Sequence, residues 1–273
     1  MSVVRSWSIG RVLSLAVLAI AAVVSLFPFY WMIVGTTLHP NDVLKGILSP
    51  GSEFMQNWAK ATQYYKLALF FFNSIKIALI TVVFGLIVNG LAAFGFEKYP
   101  SKARDKVFAL LLLTLIIPQI ALVIPMFRMF AFFNLLNSHA AVVLPSIMSV
   151  FIVFFMRQNF KMFPTEIIEA ARVDGTSELN ILVRIVTPSM KATYASAAIY
   201  IFLGQWNTYL WPLIVLLSDA RKTLPLAMAA MMSTYTIEYG SLMILACISV
   251  LPVLVLFLSM QKQFVAGLLG SVK

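Results

Sequence analysis

Residues 70–96 read FFFNSIKIALITVVFGLIVNGLAAFGF, an apolar run that carries a single charge, Lys76. A helix crosses a bilayer with about 20 predominantly apolar residues, so this segment reads as a membrane span. Five more runs follow the same pattern, at approximately 12–34, 107–127, 140–155, 192–217 and 241–260. Composition agrees: 61% of the 273 residues are hydrophobic and 11% are charged. Ordinary soluble domains are roughly 45–50% apolar and about 25% charged, so the surplus here must face lipid. The runs are continuous and do not alternate, which excludes an outer-membrane barrel. Cys247, the single cysteine, leaves no intramolecular disulfide to form. The expectation is an all-α membrane protein of six spans forming one integral domain over 1–273.

Arg5 and Arg11 precede the first run, as they would in a secretory leader. A leader core is only about 7–15 apolar residues, whereas this run is longer and ends in Phe27-Pro28-Phe29-Tyr30-Trp31, an interfacial aromatic belt. A retained first helix is expected. Lys and Arg gather on the cytoplasmic side of membrane proteins. With the amino terminus inside, 13 fall on that side, six opposite and Lys76 within a span, accounting for all 20. Both termini are therefore expected in the cytoplasm, and the net charge of +10 belongs to a membrane surface with no nucleic acid implied.

Several chemistries are missing. No glycine is followed by lysine, as a phosphate-binding loop requires, so ATP hydrolysis is not expected of this chain. His39 and His139 fall in predicted outer loops without a metal-binding arrangement. No acidic residue lies at mid-depth in a span, which argues against a proton-coupled carrier. Pro118, Pro125 and Pro252 mark kinks inside spans, and Gly85, Gly90 and Gly95, spaced by five, permit close packing of the second span.

One segment breaks the pattern. Arg157–Lys191 is the long polar stretch on the cytoplasmic side. Pro164 suits a first helical position, Glu166 the positive end of the helix dipole, and Ile167, Ile168 and Ala171 one apolar stripe. Gly175 supplies the positive φ of a carboxyl cap. Thr176 or Ser177 caps a second helix whose face is Leu179, Leu182, Ile185 and Val186, with Pro188 at its end. Such a helical hairpin either lies on the membrane surface or docks in a partner's groove. Its mixed charge favours docking.

At these residues the chain resembles the permease subunits of bacterial ABC importers. Glu169-Ala170-Ala171, Asp174-Gly175 and Ile185-x-x-Pro188 match their Glu-Ala-Ala coupling motif in spacing, with Thr187 where the family usually has leucine. Gly204–Leu213 resembles the fifth span of the carbohydrate subclass and Phe264–Lys273 its tail. The likeness is greatest to the second membrane subunit of maltose-type importers. It implies the type I permease fold, in which the hairpin enters a cleft on an ATPase subunit, Glu169 faces a basic residue there, and the tail reaches the ATPase interface. It also implies a homologous permease partner, two ATP-binding subunits that hold ATP and magnesium, no cofactor on this chain, and an external binding protein. The location would be the bacterial cytoplasmic membrane. Residues 36–69 and 218–240 would receive the binding protein.

Hydroxyl-rich cargo needs aromatic faces and hydrogen-bonding side chains once it leaves water. Gln205, Trp206, Asn207, Thr208 and Tyr209 supply them in the fifth span, unless they bond only to neighbouring helices. Phe151 in the fourth span is a further pathway candidate through the resemblance. The expected function is half of an ATP-driven import pathway for a sugar or oligosaccharide. The rivals are a permease for glycerol phosphate or polyamine and a membrane scaffold without transport activity.

Overall fold

A computed structural model describes residues 9–64, 66–99, 101–233 and 237–268. Among the described residues there is helix and no strand. In chain order the elements begin with α1 (Ile9–Gly35), α2 (Pro40–Leu44), α3 (Phe54–Tyr64), α4 (Leu67–Lys98) and α5 (Lys102–Leu113). Next come α6 (Val123–Phe132), α7 (His139–Ile147), α8 (Val150–Phe160), α9 (Thr165–Val173) and α10 (Glu178–Asn180). The last are α11 (Thr187–Ser189), α12 (Lys191–Trp206), α13 (Leu210–Val215), α14 (Leu224–Met232) and α15 (Tyr239–Leu268).

Among the described residues, four stretches are long and apolar enough to cross a membrane: Leu13–Gly35, Leu67–Lys98, His139–Phe160 and Tyr239–Lys262. They correspond to the first, second, fourth and sixth expected spans. The fourth runs to Phe160 rather than 155, and His139 begins it instead of lying in a loop. The third span, expected as one helix over 107–127, is broken: Lys102–Ile116 and Gln119–Phe132 meet at 97°. Pro118 has no N–H for the Thr114 carbonyl, and its ring drives Ile117 into extended backbone at φ −75°, ψ 121°. The carbonyl of Thr114 accepts instead from the Ile117 N–H at 3.1 Å.

The fifth span, expected over 192–217, also stops short. Helix α12 ends at Trp206 and the chain resumes helix at Leu210. Asn207 Nδ2 and Thr208 Oγ1 fold back onto the carbonyls of Leu203 and Gly204 at 2.9 and 2.7 Å. Side-chain bonds of this kind compete with the helix ladder, and Pro212 withholds the N–H that would have bonded the Thr208 carbonyl.

The chain packs as two compact units, Met1–Leu67 with Met228–Leu251, and Ala68–Ala227 with Pro252–Lys273. In the first, Leu13–Gly35 is almost bare. Its end joins a small core of Val34, Leu38 and Val43 against Trp31 and Tyr239. The expected outer loop 36–69 contains the helices α2 and α3. Buried Asn57 of α3 is the hub: its Nδ2 donates to the carbonyls of Thr36 and Leu38 at 3.0 and 2.9 Å, and its carbonyl accepts from the Ser241 hydroxyl at 2.9 Å. Lys60 and Glu238 form an ion pair at 2.8 Å.

In the second unit the largest core joins α4, α5, α8, the segment 163–186 and α12 through Phe94, Phe108, Ile152, Met156, Phe160 and Ile168. Two of the three glycines of α4 serve close packing, as expected. A Cβ on Gly90 would stand 2.8 Å from the Tyr194 hydroxyl, and one on Gly85 3.1 Å from Ile201. Gly95 has open space around it. A second core gathers Ile77, Phe130, Val142, Val215 and Leu226.

Candidate functional site

The segment 164–188 folds as the expected hairpin. Helix α9 closes in a Schellman cap: the Gly175 N–H donates to the Arg172 carbonyl and the Thr176 N–H to that of Ala171, both at 3.0 Å. Gly175 has φ +75°, a region that costs an L side chain about 1–2 kcal/mol. The second arm differs from expectation because Pro188 does not end it. Helix α10 passes into a π-helical turn, Ile181–Val186, then α11, and helix resumes at Lys191. A proline ring clashes with the carbonyl four residues back in an ordinary helix, and the wider π turn makes room for it.

One side of the hairpin is sealed. Ile168, Ala171, Ile181, Leu182 and Val186 are buried in the main core. Ile167 and Leu179, read as members of the apolar stripes, instead face outward, and Ile181 takes the buried place. The stripe errs by one helical position because adjacent isoleucines leave the inward one undetermined. The outer side carries Glu169, Ala170, Asp174 and Gly175, all exposed, with Val173 at 88% and Leu179 at 61%. Ala171, the third motif residue, is buried.

Charged groups fasten the hairpin to the corner between α4 and α5. Arg172 bridges its arms in a forked pair with Glu178, at 2.7 and 3.3 Å. The Arg172 guanidinium also sits 5.3 Å from the centre of the Tyr99 ring. Hydrogen bonds from Arg172 and Tyr99 hold the Glu178 carboxyl below the usual carboxylate range, while the Glu178 carboxylate raises the Arg172 guanidinium further. Burial and then the Glu178 carboxylate push the Tyr99 phenol up. Lys98 Nζ donates to the Phe163 carbonyl at 2.9 Å. Arg157 spans Glu97 and Asp105, both at 3.1 Å, with its guanidinium 4.3 Å from the centre of the Phe108 ring. Thr187 donates to the Tyr194 hydroxyl at 3.2 Å, so the motif departure ties the end of the hairpin to α12.

The expected pathway residues do not form one group. Gln205 is buried, facing away from Asn207 and Tyr209, which are exposed. Trp206 is buried against Phe71 and Phe202. Phe151 is exposed and pairs with Tyr200, ring centres 4.7 Å apart. Tyr200 and Gly204 share one exposed face of α12 at i and i+4, and Asn207, the residue that caps the helix, continues the spacing at i+7. Tyr200 escaped the sequence reading, although that periodicity was available to find it.

Asn89 was also missed. It is fully buried in α4 beside a gap in the fourth span, where Met148 (φ −97°, ψ 123°) and Ser149 (φ −126°, ψ 115°) are extended between α7 and α8. Its Nδ2 donates to the Ile147 carbonyl at 2.8 Å and its Oδ1 accepts from the Ser149 N–H at 2.9 Å. An asparagine in mid-span was the signal. Half of the tail motif falls outside the described residues: the helix continues to Leu268, and 269–273 lie beyond them.

A family model described as the binding-protein-dependent transport system inner membrane component matches residues 82–269. The chain belongs to this family. Among relatives of this permease is the lactose transport system permease protein LacG of Rhizobium radiobacter, 45% identical over 258 residues and 94% of each chain. The arabinooligosaccharides permease protein AraQ of Bacillus subtilis strain 168 is 33% identical, over 91% of this chain and 90% of its own. The sn-glycerol-3-phosphate permease protein UgpE of Escherichia coli K12 is 30% identical, over 98% and 99%. A bacterial ABC transporter involved in alginate import has a chain of the same fold, with TM-score 0.80 at 20% identity, covering 95% of this permease and 99% of that chain. The permease therefore has the all-α type I ABC importer fold and is an inner-membrane transport component.

Proposed function

We propose that this permease forms half of the translocation pathway of an ATP-driven sugar or oligosaccharide importer. The carrying observation is the two-sided hairpin, whose inner face is part of the main core and whose outer face presents Glu169, Ala170, Val173, Asp174 and Leu179. A handle of this kind passes displacement into the spans, because packed interiors transmit strain. Its outer face is an apolar and acidic plug suited to a groove on an ATPase subunit, where Glu169 meets a basic residue. ATP and magnesium belong to that subunit. The complex then holds a homologous permease, two ATPases and an external binding protein, with both termini of this chain in the cytoplasm.

Three features support a sugar as cargo. The lactose and arabinooligosaccharide permeases are relatives at 45% and 33% identity. Phe151 and Tyr200 offer stacked aromatic faces, and Asn207, capping α12, adds an exposed amide that continues the spacing from Tyr200. The kinship with a glycerol-phosphate permease favours a second reading, but an anion calls for a cation in the pathway, and none of these three side chains is one. Purification of the tagged complex tests coupling. Glu169→Lys and Gly175→Val are expected to lower both ATPase copurification and sugar uptake, and unchanged assembly and uptake would refute the coupling role. Competition of labelled lactose uptake by glycerol 3-phosphate separates the two cargoes.

A further inference from the structure

We propose that Asn89 is a positioning residue that holds open the gap between α7 and α8 and thereby sets the pathway face of Phe151 against Tyr200. This inference rests on the pathway reading of that face. Inside a membrane protein every backbone polar group needs a partner, and a broken helix survives only where protein or water supplies one. At Met148 and Ser149 the ladder of the fourth span is interrupted, and Asn89 replaces it with one donor and one acceptor, to Ile147 and Ser149. These residues lie 58 and 60 positions away in the chain. The Asn89 Nδ2 also donates to the Gly85 carbonyl at 2.6 Å, which fixes the side chain in its own helix.

Within the gap the Ser149 hydroxyl caps α8 by accepting from the Ile152 N–H at 3.4 Å, which leaves the Ile147 carbonyl and the Ser149 N–H to Asn89. Proline is three residues upstream, at Pro145 inside α7, and Met148 and Ser149 each have an N–H that a continuous helix would use. With the Asn89 amide removed, the partly buried Ile147 carbonyl and Ser149 N–H regain partners most readily by winding the two extended residues into helix. Each helical residue turns about 100°, so winding them re-phases every side chain that follows. Phe151, two positions on, leaves Tyr200.

The measurement is cross-linking in membranes that hold the complete importer. Cys247→Ser removes the one native thiol, and Phe151→Cys with Tyr200→Cys places two thiols where the rings now meet. A short bifunctional thiosulfonate reports their separation. Against this parent, Asn89→Leu and Asn89→Thr are expected to slow cross-linking about tenfold, the scale of losing a buried hydrogen-bonding partner. The threonine hydroxyl satisfies itself on its own helix, as Thr81 does on the Ile77 carbonyl, so that variant is gentle enough to accumulate. Asn89→Asp should restore most of the parental rate, because a carboxylic acid kept neutral by burial offers one donor and one acceptor across the gap and forgoes only the bond to the Gly85 carbonyl. A parent that does not cross-link, or an Asn89→Thr chain as fast as the parent, overturns the assignment. If the rates follow residue 89 but lactose with the binding protein leaves them unchanged, the sugar reading fails and the role of Asn89 stands.

Discussion

Two prolines interrupt this permease, with opposite results. At Pro118 the third span turns by 97°, and the residues around it are bare, with Ile116 at 76% exposure and Ile120 at 63%. At Pro188 the helix persists through a π turn, and Ile181, Leu182 and Val186 just before it are buried. The rings are chemically identical, so the difference lies in their surroundings. Ahead of Pro188 apolar contacts hold the backbone as it widens and continues, whereas around Pro118 the neighbours are exposed and the helix ends.

The largest effect should separate the two regions directly. Ile168→Ala in the packed hairpin is expected to cost about 2–5 kcal/mol, whereas Ile120→Ala beside the bend should stay within about 0.5 kcal/mol. Thermal unfolding of the purified subunit in detergent reads both, and equal losses would abolish the contrast. Next in size is relief of the prolines themselves. Pro118→Ala returns up to about 3 kcal/mol to a straight helix. Spin labels at Lys106→Cys and Arg128→Cys should then separate toward the roughly 33 Å expected of 22 helical residues. Pro188→Ala should leave the distance from Leu179→Cys to Ala192→Cys unchanged, and a matching rearrangement there would show that packing does not decide the outcome.

Smaller again is Gly175→Ala, expected to cost about 1–2 kcal/mol from its left-handed backbone alone, since no atom crowds the added carbon. The smallest effect belongs to Arg172 and Glu178. This pair is partly exposed, and a double-mutant cycle should give under about 1 kcal/mol. Glu178 is held below its ordinary range when folded, so its contribution is complete above the ordinary glutamate pKa and fades as pH falls through the lowered value. Unfolding midpoints measured across acid pH should show that loss in the parent and not in Glu178→Gln.

Much of this was legible in the sequence because lipid imposes long apolar runs and because Gly175 admits few alternatives. Four spans and the hairpin turn follow from those constraints. The fifth span misled because Asn207 and Thr208 stop a helix through bonds to their own carbonyls, an act that hydropathy does not register. Ile167 and Ile168 were indistinguishable until the core chose one. Asn89 was legible only in part: an asparagine in mid-span says that some partner exists, but its partners at Ile147 and Ser149 are in another span.

The open space around Gly175 has a chemical corollary. Its backbone lies where mirror-image residues are at ease, so a D-alanine installed there by semisynthesis would fit where L-alanine strains. If the D-residue restores import that the L-residue impairs, the defect lay in handedness. If both fail alike, the added methyl group itself is the obstacle.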